Sequence, residues 1–359
     1  MKVLQVITSL QIGGAEKLVA EMVPLMCEQG VQVDVLTFNG KPSPLKSQLM
    51  ARGINVISLS TEECSVYHPK FVYKLSKHLP QYDIVHTHNT ACQWYAVLAS
   101  LLNPAYQRPK IITTEHSTTN NHRKIPLLNL FDRWIYSKYD KVVAISEKAR
   151  ANLANYTNLP VDLIKVINNG VNLSAFDKSY DLNLKEDACQ AVVTMVAAFR
   201  QEKDHKTLIR AIALLPKQYV LFLVGDGPCR KTCEELADEL GIDGRVHFMG
   251  WRTDVPAILQ ASDIVVLSST YEGLSLSSVE GMASGKPFIA SDVDGLHEIV
   301  EGAGILFQQG NAEELATRIL ELKDKNDYIA VAEKCKLKAA KYDIKNTVNE
   351  YLEIYREIL

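Results

Sequence analysis

Glu272 and Glu280 stand eight residues apart in STYEGLSLSSVEGMASGKP, Ser269 to Pro287, among residues that are mostly small or apolar. A loop carboxylate followed by the outward backbone amides of Gly273, Leu274 and Ser275, with a second carboxylate one turn into a helix, suits a nucleotide-sugar. The carboxylates would take hydroxyls and the amides a phosphate. Ser277 followed three residues later by Glu280 also fits a capping box, which accounts for Glu280 but leaves Glu272 without a structural reason.

Other stretches could meet the same ligand. In VAAFRQEKDHKTLI a strand ends and Arg200 and Lys203 precede a helix. Two cations there could neutralise a diphosphate, although the composition also suits a solvated helix start. ITSLQIGGAEKLV runs from strand through Gly13 and Gly14 into a helix, a turn in which backbone amides can approach an anion. LFLVGDGPCR supplies Gly225 and Gly227, but Arg230 occupies the third glycine position of a dinucleotide fingerprint, which disfavours nicotinamide cofactors. His116 in TTEHS follows a strand and gains chemical interest only if it faces a second domain. Asp292 and Asp294 in SDVDG have a metal-binding spacing, but Asp and Gly after a strand read as a turn.

The elements that must position these residues follow a regular rhythm. KVLQVI, VQVDVLTF, INVISL, DIVHTH, KIITTE and KVVAIS are β-rich runs, most with helix-length segments between them, beginning with a helix from about Gly14 to Glu28. That alternation predicts a parallel sheet covered on both faces. After a polar stretch to about Gln190 it starts again with AVVTMVAAF, YVLFLVGDG, RVHFMG, DIVVLSS and KPFIAS. Two doubly wound, Rossmann-like α/β domains are expected, residues 1–170 and 171–343, joined near Asn169 to Ser174. The last segment, IKNTVNEYLEIYREIL, spaces its apolar residues as an amphipathic helix. Ligands of such sheets bind beyond the carboxyl ends of the strands, where each candidate residue falls.

Bulk properties fit this picture. A chain of 359 residues with 47% hydrophobic and 23% charged residues has material for two cores. A net charge of −3 argues against a nucleic-acid partner. Seven scattered cysteines without paired zinc spacing read as reduced thiols of a cytoplasmic protein. No stretch approaches the roughly 18 apolar residues of a membrane span, so membrane contact is expected to be peripheral, at the inner face.

Together the GGAE loop, the TEHS strand end, LVGDGP, the glycine-ended FMG strand and the Glu-x7-Glu segment resemble the retaining glycosyltransferases of family 4, which have the GT-B fold of two domains facing a cleft. The resemblance holds in order and spacing over nearly the whole chain. It implies a hexosyltransferase that needs neither metal nor cofactor, the nucleoside diphosphate sugar being its substrate. The first domain would be the acceptor side and the second would bind the donor, with residues 344–359 crossing back onto the first.

Carried over by position, Gly14 would lie against the donor phosphate, and Arg200 and Lys203 would neutralise the diphosphate beside Gly225. Glu280 would hold the ribose, backbone near Gly250 and Trp251 the base, and Glu272 with the amides of Gly273, Leu274 and Ser275 the sugar and phosphate. His116 would contact the transferred sugar. His116, Lys203 and Glu272 are thus the expected catalytic residues, acting without a protein nucleophile. The chain departs from the family in having Ala197 and Ala198 where Gly-Arg is usual, with Arg200 two residues beyond, and Asp294-Gly295 where paired glycines are common.

Lys70, Lys74 and Lys77 in YHPKFVYKLSKHL could lie on an anionic membrane, though a surface helix covering the sheet is the simpler reading. Arg123 and Lys124 could meet a phosphorylated, lipid-linked saccharide acceptor in surface-polysaccharide synthesis. The donor is expected to be UDP-linked. A UDP-sugar epimerase and a nucleotide-sugar binding protein without turnover are the competing readings.

Overall fold

The computed structural model describes residues 1–11, 13–61, 65–116, 126–273 and 275–359, and the backbone alone of Pro126 and Leu127. Two compact units are formed, one of Met1–Gly170 with Ile344–Leu359, the other of Val171–Asp343.

In the first unit the strands are β1 (Lys2–Ile7), β2 (Gln32–Thr37), β3 (Val56–Ser58), β4 (Ile84–His88), β5 (Lys110–Glu115), β6 (Lys141–Ala144) and β7 (Ile164–Val166). They make a parallel sheet in the order β3-β2-β1-β4-β5-β6-β7. Successive side chains of a strand leave opposite faces, so Val3 and Ile7 pack into one core and Leu4 and Val6 into another. The helix Gly14–Glu28 covers the Val3 face with Leu18, Val19, Met22 and Met26, spaced at three and four. Ile344–Ile358 lies on the same face, burying Ile344, Val348, Tyr351, Leu352 and Tyr355. On the opposite face the helix Lys70–Ser76 buries Phe71 and Leu75, and Lys74 donates to the carbonyl of Leu59 at 2.5 Å. This helix therefore has a covering role in the sheet's own packing.

In the second unit the strands are β8 (Ala191–Val196), β9 (Tyr219–Val224), β10 (Val246–Gly250), β11 (Ile264–Leu267), β12 (Phe288–Ser291) and β13 (Ile305–Phe307). Their order is β10-β9-β8-β11-β12-β13, again parallel.

Strand order reverses direction between β1 and β4 in the first sheet and between β8 and β11 in the second. At such a switch point the loops leaving two adjacent strands diverge to opposite faces and leave a crevice at the carboxyl ends.

Candidate active site

The switch point of the second unit joins two of the expected residues directly. Lys203, in the loop after β8, places Nζ 2.5 Å from Oε1 of Glu272, in the loop after β11, with the side chains 20% and 8% exposed. Ser269 Oγ donates to the same carboxylate oxygen at 2.6 Å. The loops are also joined through their backbones: Thr270 N–H donates to the Glu202 carbonyl at 2.8 Å, and Ser268 Oγ to the Asp204 carbonyl at 2.9 Å. Ser291, at the end of β12, donates to the carbonyl of Ser269.

Asp204 holds a left-handed conformation, φ 42° and ψ 49°, and its carboxylate caps the helix His205–Leu214 through Thr207 N–H. A non-glycine residue there is strained and is kept in place by these bonds. His205 is buried and stacks on Phe199, with ring centroids 4.1 Å apart. Burial lowers its pKa to about 4, so the ring adds no charge beside Lys203 at neutral pH.

Two glycines make the crevice possible. Gly225 has φ 137°, and a Cβ there would stand 2.1 Å from the Ala197 carbonyl oxygen; its N–H donates to Gly250 at 2.9 Å. Gly295 has φ 84°, and a Cβ would stand 2.2 Å from the Gly273 oxygen and 2.4 Å from that of Glu272. The loop after β12 thus rests on the backbone that presents Glu272.

The helix Leu276–Ala283 starts one residue after Ser275, whose Oγ accepts from Ser278 N–H at 3.3 Å. This corrects the capping box expected at Ser277. With Ser275 extended and Leu276 the first helical residue, Glu280 is the fifth, too far along to reach back to the cap. It is instead buried on the helix, 7% exposed. Arg200 and Trp251 are exposed, Gly250 ends β10 with φ 64°, and Gly273 closes the Glu272 loop. Leu274 lies outside the described residues, as do Arg123 and Lys124. Asp292, of the aspartate pair, is hydrogen-bonded to His297 at 2.6 Å. Among the described residues no group of three or more His, Cys, Asp or Glu could hold a metal ion.

The first unit carries Gly14 and His116. Gly14 opens the helix Gly14–Glu28, and a Cβ on it would meet nothing within 4 Å, so its backbone can be closely approached. His116 lines a concavity of about 300 Å³ with Thr8, Asn89, Thr90 and Glu115, which sit at the carboxyl ends of β1, β4 and β5; Gly14 does not line it. Asn89 adopts φ 74° and donates to Thr8 Oγ1 at 3.0 Å across the switch point. Glu115 accepts from Tyr136 at 2.8 Å. Burial lowers the His116 pKa to about 4.

Sequence reasoning passed over Gln5, His86 and His88, which stand behind His116. The signal was present: strands buried on both faces are normally apolar, whereas DIVHTH places His86 and His88 on one face and KVLQVI is interrupted by Gln5.

Two doubly wound parallel sheets, each with polar residues gathered at its switch point, place the chain in the class of tandem Rossmann-type α/β proteins. Residues 12–175 match the family Glycosyltransferase Family 4, and residues 180–345 match Glycosyl transferases group 1. The chain belongs to these GT-B glycosyltransferases and is a transferase enzyme. It is 26% identical over 307 residues to the putative glycosyltransferase EpsF of Bacillus subtilis, covering 81% of this chain and 79% of that one. It is likewise 26% identical over 321 residues to the UDP-Gal:alpha-D-GlcNAc-diphosphoundecaprenol alpha-1,3-galactosyltransferase of Escherichia coli, covering 80% and 78%. The crystal structure of Anabaena HepE in complex with UDP and glucose has the same fold, with a TM-score of 0.84, 22% identity and complete coverage of both chains.

Proposed function

We propose that this glycosyltransferase moves a hexose from a UDP-linked sugar, with retention of configuration, to a saccharide or lipid-linked saccharide in surface-polysaccharide synthesis. The observation that carries the reading is the Lys203–Glu272 pair at the switch point of the second unit. An ammonium has three donors, of which the pair uses one, leaving Lys203 able to bind the leaving diphosphate; Arg200 adds a second cation. The amides at the start of the helix Leu276–Ala283 take a phosphate, and Glu272 with Gly273 and Ser275 takes hydroxyls of the sugar. Glu280 holds the ribose, Gly250 and Trp251 meet the base, and Gly225 keeps the diphosphate loop in register. In the first unit Gly14 approaches the donor phosphate and His116 receives a sugar hydroxyl.

Catalysis in this reading is electrostatic: fixed donors stabilise charge as the bond to the diphosphate breaks, with no protein nucleophile, metal or cofactor. The E. coli relative's name gives a UDP-sugar donor and a diphosphoundecaprenol acceptor, and HepE was solved with UDP and glucose, which favours this chemistry here. A lipid-linked acceptor would bring the enzyme to the inner face of the membrane as a peripheral protein. No helix among the described residues is long and apolar enough to cross one.

The test is product analysis with UDP-glucose, UDP-galactose and UDP-N-acetylglucosamine, excess chelator, and a panel of undecaprenyl-diphosphate saccharides. The proposal expects an α-linked product that forms with chelator present. Conversion of donor without acceptor would indicate an epimerase, and binding without any transfer a non-catalytic protein.

A further inference from the structure

Gln5 on β1, His86 and His88 on β4 and Thr114 on β5 occupy alternate positions that share the sheet face covered by the helix Ile344–Ile358. Their side chains form one hydrogen-bonded chain that ends on His116. Gln5 Nε2 is 2.9 Å from the Tyr355 hydroxyl, and Gln5 Oε1 is 2.8 Å from His88 Nε2. His88 Nδ1 is 2.9 Å from His116 Nε2. His86 Nδ1 is 2.6 Å from the Tyr355 hydroxyl, and its Nε2 is 2.8 Å from Thr114 Oγ1, which in turn meets Tyr351 at 2.9 Å.

The direction of each bond follows from what each atom can do. Gln5 Nε2 donates to Tyr355, so Gln5 Oε1 accepts, and the proton between it and His88 belongs to His88 Nε2. A neutral imidazole with its proton on one nitrogen has a lone pair on the other, so His88 Nδ1 accepts from His116 Nε2–H. His116 Nδ1 is then the lone-pair nitrogen. It is buried, has no partner among the described residues, and belongs to a ring lining the concavity of about 300 Å³. Burial holds all three rings neutral at pH 7, lowering His86 to about 3 and His116 to about 4 and pushing His88 well below its usual range.

We infer that His88 is a positioning residue that fixes His116 in the tautomer whose Nδ1 accepts a hydrogen bond from a ligand hydroxyl. Gln5 and Tyr355 set His88 in turn, so the helix Ile344–Ile358 takes part in specificity through its tyrosine hydroxyl. The inference rests on the reading that His116 meets the donor sugar. It favours a sugar that presents a hydroxyl proton at this point over one presenting a fluorine or carbonyl, which can only accept.

Two measurements test it. Long-range ¹H–¹⁵N spectra of histidine-labelled wild-type protein, assigned with His116→Ala, report the tautomer of each neutral ring without relying on a variant's activity. Both His88 and His116 should carry the proton on Nε2; a proton on Nδ1 of His116 overturns the inference. The second compares dissociation constants of UDP with those of whichever of UDP-glucose, UDP-galactose and UDP-N-acetylglucosamine binds most tightly, which isolates the sugar's contribution.

His88→Phe should reduce that contribution about tenfold, the size of one hydrogen bond, and should have no further effect in a His116→Ala background. His88→Asn keeps an acceptor where Nδ1 stands and should remain within about twofold of wild type. A silent His88→Phe beside a damaging His116→Ala contradicts the positioning role alone. A silent His116→Ala instead removes the reading that His116 meets the sugar.

Discussion

Lys203 Nζ and Glu272 Oε1 lie 2.5 Å apart although the residues are 69 positions apart in the chain. The contact exists because β8 and β11 are neighbours in the sheet, so the loops leaving them share one crevice. Lys203→Ala would leave the carboxylate of Glu272 mostly buried without its cation, costing about 1–3 kcal/mol of stability and most of the turnover. The double variant Lys203→Met, Glu272→Gln removes both charges and should recover much of the stability without recovering transfer. Urea unfolding and transfer rates on the three proteins check this. Turnover that returned with stability would place the pair in the scaffold.

Gly295→Ala should act on the site from a distance in sequence. The new methyl would meet the carbonyl oxygens of Gly273 and Glu272 at a backbone angle that L-residues avoid. A cost of about 1–3 kcal/mol is expected, with displacement of the Glu272 loop and weaker donor binding. Gly310→Ala, at φ 76° with nothing within 4 Å of its Cβ, is the control. It should carry only the strain, and equal effects of both on binding would contradict the packing role of Gly295.

Stability should fall on acidification below about pH 6.5. His86 is lowered to about 3, and His116 and His205 to about 4, so each binds a proton more readily unfolded than folded. Their contribution is complete above the unfolded pKa of about 6.5 and is lost progressively as pH drops toward 4, at up to about 1.4 kcal/mol per pH unit for each ring. Thermal midpoints at pH 7.5, 6 and 5 should therefore decline. A flat profile between pH 7 and 5 would show that these rings titrate alike folded and unfolded.

Much of the fold was legible because parallel strands buried on both faces announce themselves as apolar runs. DIVVLSS and YVLFLV read as strands for this reason and supply β11 and β9. Two strands are not among the runs that the sequence marks, β7 (Ile164–Val166) and β13 (Ile305–Phe307), each three residues long and at a sheet edge. The carboxylates of the Glu-x7-Glu segment were legible from their surroundings, but not the true helix start, since SLSS offers several serines and only backbone geometry selects Ser275 as the cap. The pairing of Lys203 with Glu272 needs strand order, which a sequence does not carry. The chain behind His116 could have been suspected from two histidines in a buried strand, but its direction requires the distances to Gln5 and Tyr355.

The central claim is that the second unit holds a nucleoside diphosphate sugar through Lys203, Glu272 and Glu280. Calorimetric titration of UDP into wild-type protein, Lys203→Ala and Glu280→Ala tests it most directly. Saturable binding that weakens by about one to two orders of magnitude in each variant, with folding of both confirmed by unfolding curves, is the predicted result. Binding of equal strength in all three would contradict the account, because the nucleotide would then be held somewhere other than this crevice.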